Sequence, residues 1–157
     1  MDLAAQLDAY LLECRSRHFA WGQFDCVLFV ADWIKRRTGC DLIADYRGRY
    51  QDDRSAYRTM YRATGRPQLV EAASILLGPP LETPRLARRG DPVAAAVRDD
   101  GNPSLGICAG THAAFVGASG LCVRPLLTID CAWRLPCPPL CLSSPVMRPL
   151  RSSAEQY

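Results

Sequence analysis

The chain has 157 residues, of which 48% are hydrophobic and 22% are charged, and its formal net charge is +3. This composition predicts one globular domain, and the scattered basic residues argue against a nucleic-acid partner. There is no apolar run near the ~18 residues of a membrane span and no signal-peptide pattern, so we expect synthesis in the cytoplasm.

Helical signals dominate the first half of the chain. Apolar residues at helical spacing predict a first helix over residues 2–17, and an aromatic connector follows at 18–24. A second helix is expected over residues 25–38, because Asp25 is a good N-terminal cap and Gly39 is a good stop. Further helices are expected between these cap and stop signals: Asp52 or Asp53 to Gly65, and Pro67 to Gly78.

The second half has the short apolar runs and tight turns of a sheet. After a loop rich in proline and arginine, strand-like runs occur at residues 92–97, 105–110, 112–117 and 121–126. Helices followed by such strands predict an α+β domain, with N-terminal helices packed on a small antiparallel sheet. We expect this single domain to cover residues 1–135, and residues 136–157 to form a Pro/Ser-rich C-terminal arm that is either extended or partly disordered.

The chain contains eight cysteines, a high number for a protein expected in a reducing compartment. Most of them are expected to be reduced and to act as small apolar side chains. Four lie in the last third of the domain and in the arm: Cys122, Cys131, Cys137 and Cys141. Their spacing matches no standard zinc or iron–sulfur pattern, so simple packing is the expectation for these four residues. A metal site formed by them is the alternative.

Cys26 is the residue best placed for chemistry. It follows Asp25 at the expected start of the second helix, where unsatisfied N–H groups and the helix dipole favour the nucleophilic thiolate. The chain has two histidines, His18 in the connector and His112 at the start of the third strand. A helix cysteine that faces a histidine on a sheet is typical of cysteine hydrolases. The alternatives are that Cys26 only packs and that His112 is an exposed edge residue.

Short motifs surround Cys26 and precede the expected strands. Cys26 ends the segment Trp21-Gly-Gln-Phe-Asp-Cys26, Arg89-Gly-Asp91 precedes the first strand, and residues 112–117 begin with a histidine. These segments resemble the nucleophile segment, the start of the sheet and the histidine strand of the NlpC/P60 superfamily. The full pattern resembles a family of small phage proteins encoded among tail genes. It consists of Phe19-Ala-Trp-Gly, Asp25-Cys26, Thr38-Gly39, Arg47-Gly-Arg-Tyr50, Arg89-Gly-Asp91, Gly120-Leu121 and Ala132-Trp133-Arg134.

The resemblance implies a papain-like fold and a cysteine peptidase that cleaves the stem peptides of peptidoglycan. Carried over, Cys26 is the nucleophile and His112 is the base. The backbone around Asp25 and Cys26 supplies the oxyanion donors, and no cofactor is needed. The third triad residue is unknown, because residues 121–126 contain no side chain suited to orient a histidine. An alternative alignment places the family histidine at Ala113.

Two functions from different classes follow from these motifs. The first is a peptidoglycan endopeptidase that helps a phage tail to cross the cell wall. The second is a structural tail-tip or tail-assembly component whose active site has decayed, which the missing third residue favours. Both functions predict assembly into the virion tail after synthesis in the host cytoplasm. Both also predict other phage tail proteins as partners, with stem peptides as additional partners of the enzyme.

Overall fold

The computed structural model describes residues 2–135, which form an α+β domain. Four α-helices are present in these residues: α1 (Leu3–Cys14), α2 (Cys26–Thr38), α3 (Asp53–Thr64) and α4 (Leu69–Leu77). The predicted signals cap α2, since Asp25 precedes its first turn and Gly39 ends it in the left-handed conformation. None of these helices is long and apolar enough to cross a membrane.

The strands form one antiparallel sheet, as the sequence predicts. They are β1 (Pro92–Ala96), β2 (Pro103–Cys108), β3 (His112–Gly117), β4 (Gly120–Pro125) and β5 (Cys131–Ala132). Their order across the sheet is β4-β3-β2-β1-β5. The first four strands form the predicted meander. The sequence does not predict β5, whose two residues pair with Val93 and Ala94 of β1.

Side chains alternate between the two faces of the sheet, because successive strand residues point in opposite directions. The face that packs against the helices carries Ala94, Leu105, Ile107, Ala114 and Val116. The opposite face carries Val93, Ala95, Cys108, Ala113 and Phe115. Since α2 packs mainly on β2, the residues of β2 face the helix that begins with Cys26.

An aromatic cluster fixes α2 against α1 and the sheet. The ring of Tyr10 stacks on Phe29 and Trp33, with centroid separations of 5.6 and 5.7 Å. The Tyr10 hydroxyl donates to the Phe29 carbonyl at 2.6 Å, and Trp33 Nε1 donates to the Gly90 carbonyl at 2.9 Å. Burial raises the pKa of Tyr10 well above its usual value. These contacts determine the position of the helix relative to β2.

The buried carboxylate of Asp91 links the start of the sheet to the last described residues of the chain. It accepts hydrogen bonds from the backbone N–H groups of Arg88 and Leu135 and from the Arg134 guanidinium. Asp91 therefore joins the turn before β1 to the segment that follows β5.

Candidate functional site

The buried Asp25 side chain organises the segment that contains Cys26. One carboxylate oxygen accepts the backbone N–H groups of Val27 and Leu28 at 3.1 and 3.0 Å. The other accepts the Gly22 N–H at 3.0 Å and the Tyr50 hydroxyl at 2.7 Å. Asp25 thus joins the connector, the first turn of α2 and the segment before α3. A buried carboxylate needs such partners, because it is costly to desolvate otherwise.

Gly22 and Tyr50 hold this arrangement together, and their roles were not predicted from the sequence. Gly22 has a φ of +73°, and a Cβ at this position would lie 2.1 Å from the Tyr50 carbonyl oxygen. Burial, followed by the Asp25 carboxylate, raises the pKa of Tyr50 well above its usual value. One sequence signal could have predicted their contact: the motifs that contain Trp21-Gly22 and Arg47-Gly-Arg-Tyr50 belong to the same pattern. In the structure they contact each other through Gly22, Tyr50 and Asp25.

Cys26 is half-buried at the start of α2, and its environment favours the neutral thiol. Burial raises the pKa of Cys26 from its usual value of 9.0 to about 11. The Asp25 carboxylate also raises this pKa, whereas the Leu105 and Val27 backbones and the Arg98 guanidinium lower it only in part. The structure therefore differs from the sequence-based expectation of a thiolate stabilised by the helix N-terminus.

The cap of α2 already binds two N–H groups of its first turn. Asp25 already accepts the N–H groups of Val27 and Leu28, so a thiolate or an oxyanion would share them with a carboxylate, and Val27 lowers the pKa of Cys26 only in part. The cap that starts the helix thereby reduces the electrostatic advantage that Cys26 would gain from its position.

Cys26 lies on the wall of a cleft of about 720 Å³. The cleft lies between the start of α2, the helices α3 and α4 and the first residues of β2. Its lining is mostly apolar and includes the aromatic side chains of Trp21, Tyr46 and Tyr50. Arg54 and Arg98 supply positive charge. This size and lining suit a peptide segment or a small ligand.

The structure does not bring His112 to Cys26. Ile107 of β2 lies opposite Ala114 of β3, and continuing this register places Leu105 opposite Val116. His112 is four residues from Val116, roughly 13 Å along the strand. It is exposed, lies outside the cleft lining, and its Nδ1 is 2.9 Å from Thr111 Oγ1. A general base must lie within roughly 3 Å of the proton it removes.

His18, the second histidine of the chain, also lies outside the cleft lining. It is exposed, and its Nδ1 is 3.4 Å from the carbonyl oxygen of Ala118 in the turn between β3 and β4. The alternative position for the family histidine, Ala113, is fully buried on the face of the sheet opposite the helices. Thus no histidine or alternative base from the described strands lines the wall beside Cys26.

The structure contradicts a metal site shared by Cys122, Cys131, Cys137 and Cys141. Cys122 lies on β4 and Cys131 on β5, at opposite edges of the sheet. Four strand spacings separate these edges, roughly 19 Å, which is too far for two ligands of one ion. Cys137 and Cys141 lie outside the described residues. Residues 2–135 contain no group of three or more potential metal ligands.

The expectation of reduced cysteines holds for five residues and fails for one. The free cysteines of the described region are Cys14, Cys26, Cys108, Cys122 and Cys131. Cys40, which follows the end of α2, is disulfide-bonded.

Substitution of Gly22 tests the close approach of the connector to Tyr50. We expect Gly22→Ala to lower the free energy of unfolding by at least about 3 kcal/mol, since it adds backbone strain and a steric overlap. Gly39→Ala is the matched control, because Gly39 has a similar φ of +76° and open space at its Cβ. The control is expected to lose about 1–2 kcal/mol. Equal losses in urea unfolding would contradict the close contact.

The pH dependence of Cys26 alkylation tests the state of its thiol. Iodoacetamide is attacked by the thiolate, so the alkylation rate of Cys26 should follow the thiolate fraction. We expect this rate to increase with pH along a titration curve whose midpoint is about 11. Peptide mass spectrometry would follow the modified Cys26, with the urea-unfolded chain as the control. A reactive thiolate at neutral pH would contradict this environment.

The raised pKa of Cys26 also predicts the sign of a stability change. Folding favours the protonated thiol, so its contribution to stability is complete below pH 9.0. It is lost as the pH rises from 9.0 to about 11. Urea unfolding across this pH range would measure the loss, with Cys26→Ala as the control that lacks the titrating thiol.

The comparisons with known proteins assign a family but no activity. No curated protein matches the chain. A family model described as a domain of unknown function (DUF6950) matches residues 1–135, which is most of the chain. The chain therefore belongs to the DUF6950 family.

Proposed function

We propose that the protein is a structural component of a phage tail, with a papain-like NlpC/P60-type fold whose thiol site does not hydrolyse peptides. The placement in a tail is supported by the ordered motifs between Phe19 and Arg134. The fold is supported by a cysteine at the start of a helix that packs on an antiparallel sheet. Its partners in this role are other tail proteins.

The observation that carries the proposal is the set of neighbours of Cys26. In the described part of the chain, the sheet residue beside Cys26 is Leu105 rather than a histidine, and the Leu105 backbone contacts the thiol. A cysteine hydrolase needs a thiolate or an adjacent base. Here burial and Asp25 favour the protonated thiol, and Asp25 holds two first-turn N–H groups.

One observation favours the peptidoglycan endopeptidase as a second candidate. Cys26 borders an open cleft of about 720 Å³, which is large enough for a peptide segment. In this alternative, Cys26 is the nucleophile, His112 is the base and stem peptides are the substrate. This alternative requires His112 to approach the cleft by roughly the 13 Å that separate it from Val116 along β3.

Incubation of the purified chain with peptidoglycan distinguishes the two candidates. We expect no release of stem-peptide fragments above the buffer background, because Cys26 has no adjacent base. Mass spectrometry of the soluble products would compare the wild-type protein with Cys26→Ala and His112→Ala. Fragments from the wild-type protein that disappear in both variants would establish the endopeptidase and refute the structural assignment of the thiol site.

Phage genetics tests the structural role directly. We expect phage that encode the Cys26→Ala variant of this protein to have complete tails and unchanged infectivity, because the thiol has no chemical role. The Gly22→Ala variant is expected to reduce the number of complete tails, since it disrupts the scaffold around Asp25. Electron microscopy and plaque counts would measure both effects. Absence of the chain from purified virions, or a loss of infectivity in Cys26→Ala alone, would contradict the proposal.

A further inference from the structure

The helix α3 exposes one continuous face of tyrosine and arginine. We name it the Tyr/Arg face, and it consists of Arg54, Tyr57, Arg58, Tyr61 and Arg62. These positions recur every three or four residues, so their side chains share one side of the helix. None of the twelve residues of α3 is buried. The helix is roughly 18 Å long, and it packs on α4.

Two aromatic rings lie at the centre of this face. Tyr57 and Tyr61 are 51% and 50% exposed, which leaves half of each large side chain in contact with water. Their rings stack with a centroid separation of 6.4 Å and an interplanar angle of 13°. Exposed tyrosine and arginine side chains are enriched at the centres of protein interfaces, where they contribute much of the binding energy.

The arginines of this face form no close ion pair within the described domain, although the charges of Arg54 and Arg58 attract the exposed carboxylate of Asp52 at the start of the helix. Arg54, Arg58 and Arg62 form no ion pair with a carboxylate of residues 2–135. Arg36 of α2 and Arg47 of the following segment differ, since Arg36 pairs with Glu13 and Arg47 pairs with Asp41 and Asp32. Asp52 and Asp53 lie only at the start of α3. The remaining length of the face is positively charged.

We propose that the Tyr/Arg face binds an acidic surface of a partner protein. The stacked rings of Tyr57 and Tyr61 would cover apolar groups at the centre of the interface. The arginines beside them would bind carboxylates of the partner, with the paired N–H geometry that favours this contact. This surface goes beyond the proposed function and does not depend on the state of Cys26, although Arg54 and Tyr57 also reach the cleft.

Charge and geometry favour a protein over a nucleic acid as the partner. The net charge of the chain is only +3, whereas nucleic-acid-binding domains carry a larger basic patch that follows the phosphates. The two tyrosine rings stack on each other, so one side of each ring is not free to stack on a base. A single helix face with three arginines and two tyrosines matches a compact protein contact more closely.

Fluorescence anisotropy with a defined acidic probe tests the proposal. The probe is a fluorescein-labelled, glutamate-rich peptide with leucine at every third position, and its glutamine counterpart removes the charge. We expect the full-length chain to bind the acidic peptide in a salt-dependent manner and not to bind the glutamine peptide. Arg58→Glu with Arg62→Glu should weaken binding at least about tenfold, and Tyr57→Ala with Tyr61→Ala at least about threefold.

The matched control is Arg85→Glu with Arg124→Glu, which makes the same charge change at exposed positions outside α3. This control is expected to change the affinity less than about twofold, and circular dichroism would check that all variants fold. No binding, equal weakening by the control, or binding of the glutamine peptide would overturn the proposal. Tighter, tyrosine-dependent binding of oligodeoxythymidylate would also overturn it, in favour of a nucleic acid.

Discussion

The buried carboxylate of Asp25 is the interaction on which the candidate site depends. It binds one N–H group of the connector, two of the first turn of α2 and the hydroxyl of Tyr50. Asp25 is almost fully buried, and a buried carboxylate without such partners would be costly. The path of residues 20–25, the start of α2 and the position of the segment before α3 are therefore determined together.

The same carboxylate limits the chemistry of the neighbouring thiol. A helix N-terminus activates a cysteine when its N–H groups and its dipole face the sulfur. Here Asp25 occupies two of those N–H groups and places a negative charge beside Cys26, and burial raises the thiol pKa further. The features that make this segment rigid therefore oppose thiolate formation. A histidine beside the thiol could still favour the thiolate. His112, however, is the first residue of β3, and the part of β3 nearest to Cys26 is at Val116.

Local signals in the sequence predicted most of the fold. Cap residues such as Asp25 and Gly39 determine the ends of α2, and short apolar runs between turn residues identify the first four strands, because both signals depend on neighbours along the chain. The short strand β5 was missed because only its pairing with β1 defines it. The position of Cys26 at the start of a helix was predicted, but its distance from His112 was not. That distance depends on the register of β2 and β3, which a list of motifs does not contain.

The helix α3 shows how local stabilisation leaves a surface available for binding. A helix of this length is marginal in water, and tertiary packing usually stabilises it. No residue of α3 is buried, yet it has a capping box between Asp52 and Ser55 and a left-handed Gly65 at its end. The stacked Tyr57–Tyr61 pair adds a favourable contact along the helix. Because its caps and this pair support the helix, its outer face does not have to join the core. Tyrosine and arginine can then remain on that face without weakening the domain.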